Sequence, residues 1–70
     1  MNYLVILEPT ETGFSAYSPD LPGCVATGTT QSDVEQAMLE AIEFHLEGLR
    51  AEGLEVPAAR TMATYLHVAA

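Results

Sequence analysis

Apolar and polar positions change period along the chain, and the changes mark its elements. Asn2-Tyr3-Leu4-Val5-Ile6-Leu7-Glu8 is rich in β-branched and aromatic residues and predicts a strand over residues 2 to 8. One face would carry Tyr3, Val5 and Leu7, the other Leu4, Ile6 and Glu8, so both are largely apolar. Such a strand needs cover on both sides. One helix covers only one side, so self-association is expected. Pro9-Thr10-Glu11-Thr12-Gly13 is a polar turn with hairpin punctuation, and Phe14-Ser15-Ala16-Tyr17 returns as a second strand. Cys24 to Thr29 reads as a third, with Gly28 marking a bulge or a close backbone approach near its end.

A helical period follows. Ser32-Asp33-Val34-Glu35 has the form of a capping box, and helix formers continue to Glu52, where Gly53 supplies a natural terminator. Val34, Met38, Ala41, Ile42, His45 and Leu49 share one face, with Ala37 beside them. Gln36, Glu40, Glu43, Glu47 and Arg50 fall opposite. Gly48 costs about 1 kcal/mol relative to alanine if exposed, though a small residue near the apolar stripe also permits close packing. After Pro57 the alternation of Thr61 to Val68 predicts a fourth strand, with Met62, Thr64, Leu66 and Val68 on one face and Ala63, Tyr65 and His67 on the other. The order β-β-β-α-β predicts a two-layer α+β fold: an antiparallel sheet with one helix packed on one face. No repeat or second domain is visible, so residues 1–70 are expected to form a single domain.

The segment Tyr17-Ser18-Pro19-Asp20-Leu21-Pro22-Gly23-Cys24 breaks both periods. Each proline fixes φ, removes a backbone donor and pushes its predecessor towards extended geometry, while Gly23 accepts a left-handed conformation. These residues describe a rigid corner between strands.

Length sharpens the expectation of self-association. A chain of 70 residues buries only about 60% of the surface its unfolded form exposes, and domains of this size often gain stability by oligomerising. The net charge of −8 combines ten acidic residues with Arg50 and Arg60 and no lysine. That argues against direct contact with a nucleic-acid backbone, which needs clustered cations. It suits either a basic protein partner or solubility alone. A lone cysteine rules out an intramolecular disulfide and a thiolate metal cluster within one chain. No run approaches the ~20 apolar residues that span a bilayer, and the apolar run near the start lacks a signal peptide's basic flank. A cytoplasmic protein without membrane contact is expected.

Candidate chemistry is sparse, and no cofactor is expected. His45, on the apolar helical face, is a general base or metal ligand, or a core or interface histidine; no acid or ligand at motif spacing accompanies it. His67 lies near the chain end with still less support. Cys24 is a nucleophile or a buried structural thiol, and no local signature ties a base to it. Glu40, Glu43 and Glu47 form an acidic stripe that is either a solvated helix face or a contact for basic residues of a partner. Asp20, the acid of the corner, joins them as a candidate partner contact. Alone it cannot supply the converging carboxylates of two-metal hydrolysis, and it suits a turn-capping role. No catalytic or metal-binding set is expected.

The corner Tyr17-Ser18-Pro19-Asp20-Leu21-Pro22-Gly23-Cys24, followed by a short strand and a helix ending Glu43-Phe44-His45-Leu46-Glu47-Gly48-Leu49-Arg50, resembles the HicB-like antitoxin family. Gly53 and Val56-Pro57 resemble that family's helix exit, and the likeness covers roughly residues 3 to 68. The resemblance implies a partial RNase H-like fold and a non-enzymatic antitoxin. Its implied partner is a small, basic, HicA-like mRNA-cleaving toxin whose active site it covers. Many family members carry a further C-terminal DNA-binding module; this sequence ends at Ala70, so direct DNA binding by it is not expected. An oligomer, dimer or tetramer, is. The alternative is a stand-alone oligomeric scaffold or small-ligand-binding protein without a toxin partner.

Overall fold

The computed structural model describes residues 1–70. Strands β1 (Ile6–Thr10), β2 (Gly13–Tyr17) and β3 (Val25–Gly28) precede helix α1 (Gln31–Ala51). The strands form one antiparallel sheet in the order β1-β2-β3. Its register runs from Ile6↔Tyr17 to Thr10↔Gly13 and from Phe14↔Gly28 to Tyr17↔Val25. The helix lies over β2 and β3 and not over β1. The α+β class and the single helix on one sheet face are as expected.

β1 is displaced from its expected range of 2 to 8. A ladder needs a partner, and β2 ends at Tyr17, where the corner begins, so residues 2 to 5 have none. Pro9 and Thr10, expected in the turn, extend β1 instead, leaving Glu11 and Thr12 as the turn. Proline is tolerated there because β1 is an edge strand and Pro9 can turn its missing donor outward.

The corner is two consecutive β-turns. Leu21 donates its N–H to the Ser18 carbonyl at 3.1 Å, and Cys24 donates to the Leu21 carbonyl at 3.1 Å. Pro19 and Pro22 each occupy the second position of a turn, where a fixed φ near −65° is required. Gly23 follows Pro22 with φ +83°, as a Pro-Gly turn demands. The residue shared by both turns, Leu21, is 0% exposed. Buried Ser18 donates its hydroxyl to the Leu4 carbonyl at 2.9 Å, tying the unpaired start of the chain to the corner.

Ala16, Leu21, Cys24, Val34, Met38 and Leu46 form the core. Tyr3, Val5 and Leu7 pack against it from one face of the first strand, as the alternation predicted. Leu46, outside the predicted stripe, is buried as well. The buried sector is wider than one stripe because the chain returning after the helix also packs Val56 against the core.

The helix starts two residues earlier than the apparent capping box. Thr30, extended at φ −125° and ψ 165°, is the N-cap, and its side chain accepts the Asp33 N–H at 3.0 Å. Asp33 reaches back to accept the Thr29 hydroxyl at 3.0 Å, so Ser32 lies inside the first turn. At the other end the Gly53 N–H binds the Arg50 carbonyl at 3.1 Å and the Leu54 N–H binds the Leu49 carbonyl at 2.9 Å. With Gly53 at φ +69°, this is a Schellman motif that closes the helix.

The expected fourth strand, Thr61 to Val68, forms no ladder in the single chain: β1, β2 and β3 make up the sheet, and residues 61 to 70 lie exposed. The order within one chain is therefore β-β-β-α. Strand pairing needs donors and acceptors on a neighbour, and the segment stands exposed in solvent instead of lying along either open edge of its own sheet.

Two glycines separate close packing from open space. A Cβ on Gly28 would sit 2.6 Å from the Val34 backbone nitrogen, so β3 packs against the helix start as Gly28 suggested. A Cβ on Gly48 would meet nothing within 4 Å, so the close packing considered for Gly48 is absent. Gly28→Ala should destabilise the protein by about 1–3 kcal/mol, whereas Gly48→Ala should stabilise it by about 0.5–1 kcal/mol. Thermal denaturation of the two variants measures both, with opposite signs expected.

Candidate functional site

The outward face of the helix presents a compact group of side chains. Glu40, Glu43 and Glu47 are all exposed. At helical spacing Glu40 and Glu43, then Glu43 and Glu47, are surface neighbours. Phe44 lies four residues after Glu40 and three before Glu47, so it joins them on adjoining positions. It is 75% exposed. A rigid helix closed at both ends thus carries an aromatic side chain bordered by carboxylates. Phe44 was missed in the sequence, although an aromatic outside the apolar stripe is the signal that could have revealed it.

Phe44 also borders a cleft of about 440 Å³ between the helix and the corner, lined by Gly23, Cys24, Val25, His45 and Gly48 among others. Cys24 and His45, far apart in sequence, therefore meet in one depression. Their chemistry does not follow that of a thiol–imidazole nucleophile. Cys24 is buried and burial pushes its thiol above the ordinary cysteine value, whereas a reactive cysteine needs its thiolate favoured. His45 is half-buried at the cleft wall. His67 stands exposed near the chain end. No group of three His, Cys, Asp or Glu side chains converges in a geometry that could hold a metal ion.

Asp20 lies apart from the acidic stripe. Its carboxylate accepts the Thr61 hydroxyl, the Thr61 N–H at 2.9 Å and the Arg60 N–H at 3.0 Å. The turn-capping role considered for Asp20 is replaced by a long-range one, fastening the chain forty residues later. The Tyr3 hydroxyl makes a second fastening by donating to the Pro57 carbonyl. Together these bonds fix where the C-terminal segment leaves the body. Pro19, Leu21, Pro22, Gly23 and Cys24 are the structural frame of the corner, and none joins the helical group.

Residues 3–69 match the family model described as the HicB_like antitoxin of bacterial toxin-antitoxin system. An uncharacterized 14.9 kDa protein of Haemophilus phage HP1 is 33% identical over 67 residues, covering 96% of this chain and 50% of the relative. The chain thus spans half the length of that phage protein. A UPF0150 protein of Synechocystis is 42% identical over 57 residues, covering 80% of this chain and 72% of the relative. Among solved structures, a chain of a HicA3 and HicB3 toxin-antitoxin complex is similar with a TM-score of 0.73 and 33% identity, covering 86% of this chain and 70% of that one.

The Asp20 fastening should depend on pH. The Thr61 hydroxyl bond, then the Thr61 N–H bond, lead the effects that hold the Asp20 carboxyl below the ordinary aspartate value of 3.8. A depressed folded-state value means the fastening is fully present above the unfolded value and is lost as pH falls through the folded one. The Thr61 amide resonance should therefore hold constant from neutral pH to about pH 5 and then move with an inflection below 3.8. In Asp20→Asn that acid inflection should vanish.

Proposed function

Because the chain belongs to the HicB-like antitoxin family of bacterial toxin-antitoxin systems, we propose that it neutralises a small, basic, HicA-like mRNA-cleaving toxin by covering the toxin's active site. The observation that carries the proposal is the helix face on which Phe44 stands exposed among Glu40, Glu43 and Glu47. Interfaces draw most of their affinity from a few aromatic or arginine anchors surrounded by weaker contacts that exclude water. Carboxylates around such an anchor suit a cationic surface, raising the rate of encounter and rejecting acidic partners. An RNA-cleaving protein must itself attract a polyanion, so its active-site surface is a cationic surface of that kind. The net charge of −8 extends the attraction beyond the contact.

Occlusion demands no chemistry from the antitoxin. The burial of Cys24, which pushes its thiol above the ordinary cysteine value, and the engaged carboxylate of Asp20 support a non-enzymatic role. The acidic surface opposes direct binding of nucleic acid by this chain. No helix is long and apolar enough to cross a membrane, and the mRNA substrate of the proposed toxin places its action in the cytoplasm. Asp20 keeps a place in the proposal as a residue that orients the C-terminal segment, while Phe44 and the three glutamates supply the contact. The chain acts as a homo-oligomer, presenting more than one such face.

Co-expression with the small basic protein encoded beside it, followed by purification and an RNA-cleavage assay, tests the proposal. A stable complex with suppressed cleavage is expected. Phe44→Ala should weaken the complex by about 2 kcal/mol, roughly thirtyfold in Kd. Replacing Glu40, Glu43 and Glu47 together by glutamine should slow association and flatten its salt dependence. Circular dichroism should show the helix intact in both, since all four side chains lie outside the core. Unimpeded cleavage with no complex, or variants that bind as tightly as the parent, would overturn it.

A further inference from the structure

The C-terminal segment carries a strand's sequence without a strand's partner. Met62 is 90% exposed and Tyr65 101%, and Leu66 and Val68 stand in solvent beside them. The chain is correspondingly elongated. Its longest dimension is 49 Å and its Cα radius of gyration 13.9 Å, against about 11 Å for a compact chain of this length. The segment is nevertheless aimed: Tyr3 holds its base at Pro57 and Asp20 holds Arg60 and Thr61. Beyond Thr61 it makes an arm.

The body carries a matching vacancy. β1 is an outer strand of the sheet, and Pro9 blunts only its far end. The stretch Tyr3 to Leu7 therefore offers an unpaired edge of apolar residues. Beside it the helix, shifted over β2 and β3, leaves a groove lined by Tyr3, Val5, Met38, Leu39 and Ile42. The opposite sheet face is also uncovered: the pairings Ile6↔Tyr17 and Tyr17↔Val25 make an apolar row across it, of which Tyr17 and Val25 are exposed.

We propose that two copies exchange arms, residues 62–68 of each adding a strand to the free β1 edge of the other. In that arrangement Met62, Leu66 and Val68 enter the groove between β1 and the helix, and Tyr65 extends the Ile6–Tyr17–Val25 row. One added strand thereby answers both faces. Charge favours a second copy as the occupant. Two bodies of −8 repel over most of their surface, but residues 61 to 70 include no acid, and Glu35 is the one acid lining the groove. Arm and groove are the surfaces two copies can share without bringing carboxylates together. The exchange is reciprocal, as a twofold dimer requires. Two docked arms would bury on the order of 1,200 to 2,000 Å², the size of a stable interface. The single chain by contrast buries only 7 of its 70 residues.

Analytical ultracentrifugation of the wild-type chain, combined with amide hydrogen exchange, tests this without a variant or a toxin. A dimer mass with slowed exchange at residues 62–68 is expected. A monomer mass overturns the proposal, with a protected arm (which would mean the arm folds onto its own β1) or a free one. So does an arm that becomes protected only when a basic partner protein is added. Two variants at exposed positions refine the test: Leu66→Asp disables the arm and Leu39→Glu the groove. Each alone should weaken dimerisation at least about tenfold. An equimolar mixture should form a heterodimer more readily than either variant self-associates, because one arm and one groove remain intact. Variants that dimerise like the parent, or a mixture no better than its components, would refute the exchange. None of these readouts depends on toxin binding, so the antitoxin proposal stands or falls separately.

Discussion

The fold hangs on the burial of Leu21 at the vertex of two linked turns. Each turn is set by a proline at its second position, and the two share the residue that enters the core. A turn without that side chain would only reverse the chain; here the reversal also delivers a plug beneath the helix. The same corner ends β2, aligns β3 with Cys24 facing inward, and supplies the Ser18 hydroxyl that holds Leu4. Asp20, carried on the outside of the first turn, then sets the exit of the C-terminal segment. One rigid loop therefore fixes strand order, core filling and the direction of the arm.

Much of this was legible in the sequence because the signals were local. Pro19, Pro22 and Gly23 mark the corner by backbone sterics alone, and the period of Val34, Met38, Ile42 and Leu49 identifies the core face of the helix. Features set by distant partners were harder to read. The range of β1 depends on β2: the stop at Tyr17 ends the pairing at Ile6, and the start at Gly13 and Phe14 draws Thr10 and Pro9 into the ladder although the chemistry of Pro9 suggests a turn. Two overlapping cap patterns were present, and the choice of Thr30 over Ser32 follows from how β3 enters the helix at Gly28. Glu40, Glu43 and Glu47 lie exposed as the helical period predicted. Asp20 could not be assigned its bonds to Arg60 and Thr61, because nothing local links residues forty positions apart.

The sheet reaches no conclusion by itself. A helix over β2 and β3 leaves β1 half-covered, and the residues with the pattern of a covering strand stand away from the body. Thr61 to Val68 alternate as a strand would, yet they form none within the chain, because a strand is a relation between two segments and not a property of one. Periodicity states which face a segment would bury. It does not state whose edge the segment meets.

The helix separates two kinds of information that small proteins often have to combine. Val34, Met38 and Leu46 specify the core, while Glu40, Glu43, Phe44 and Glu47 belong neither to it nor to the half-buried side chains packed against it. Capping at Thr30 and closure at Gly53 hold the backbone independently of those outward residues. Substitutions on the outward face can therefore accumulate with little effect on folding. Gene duplicates of such a protein would be free to diverge in recognition, each lineage acquiring its own surface on an unchanged frame. Insulation of this kind lets a small scaffold follow a changing partner without having to refold.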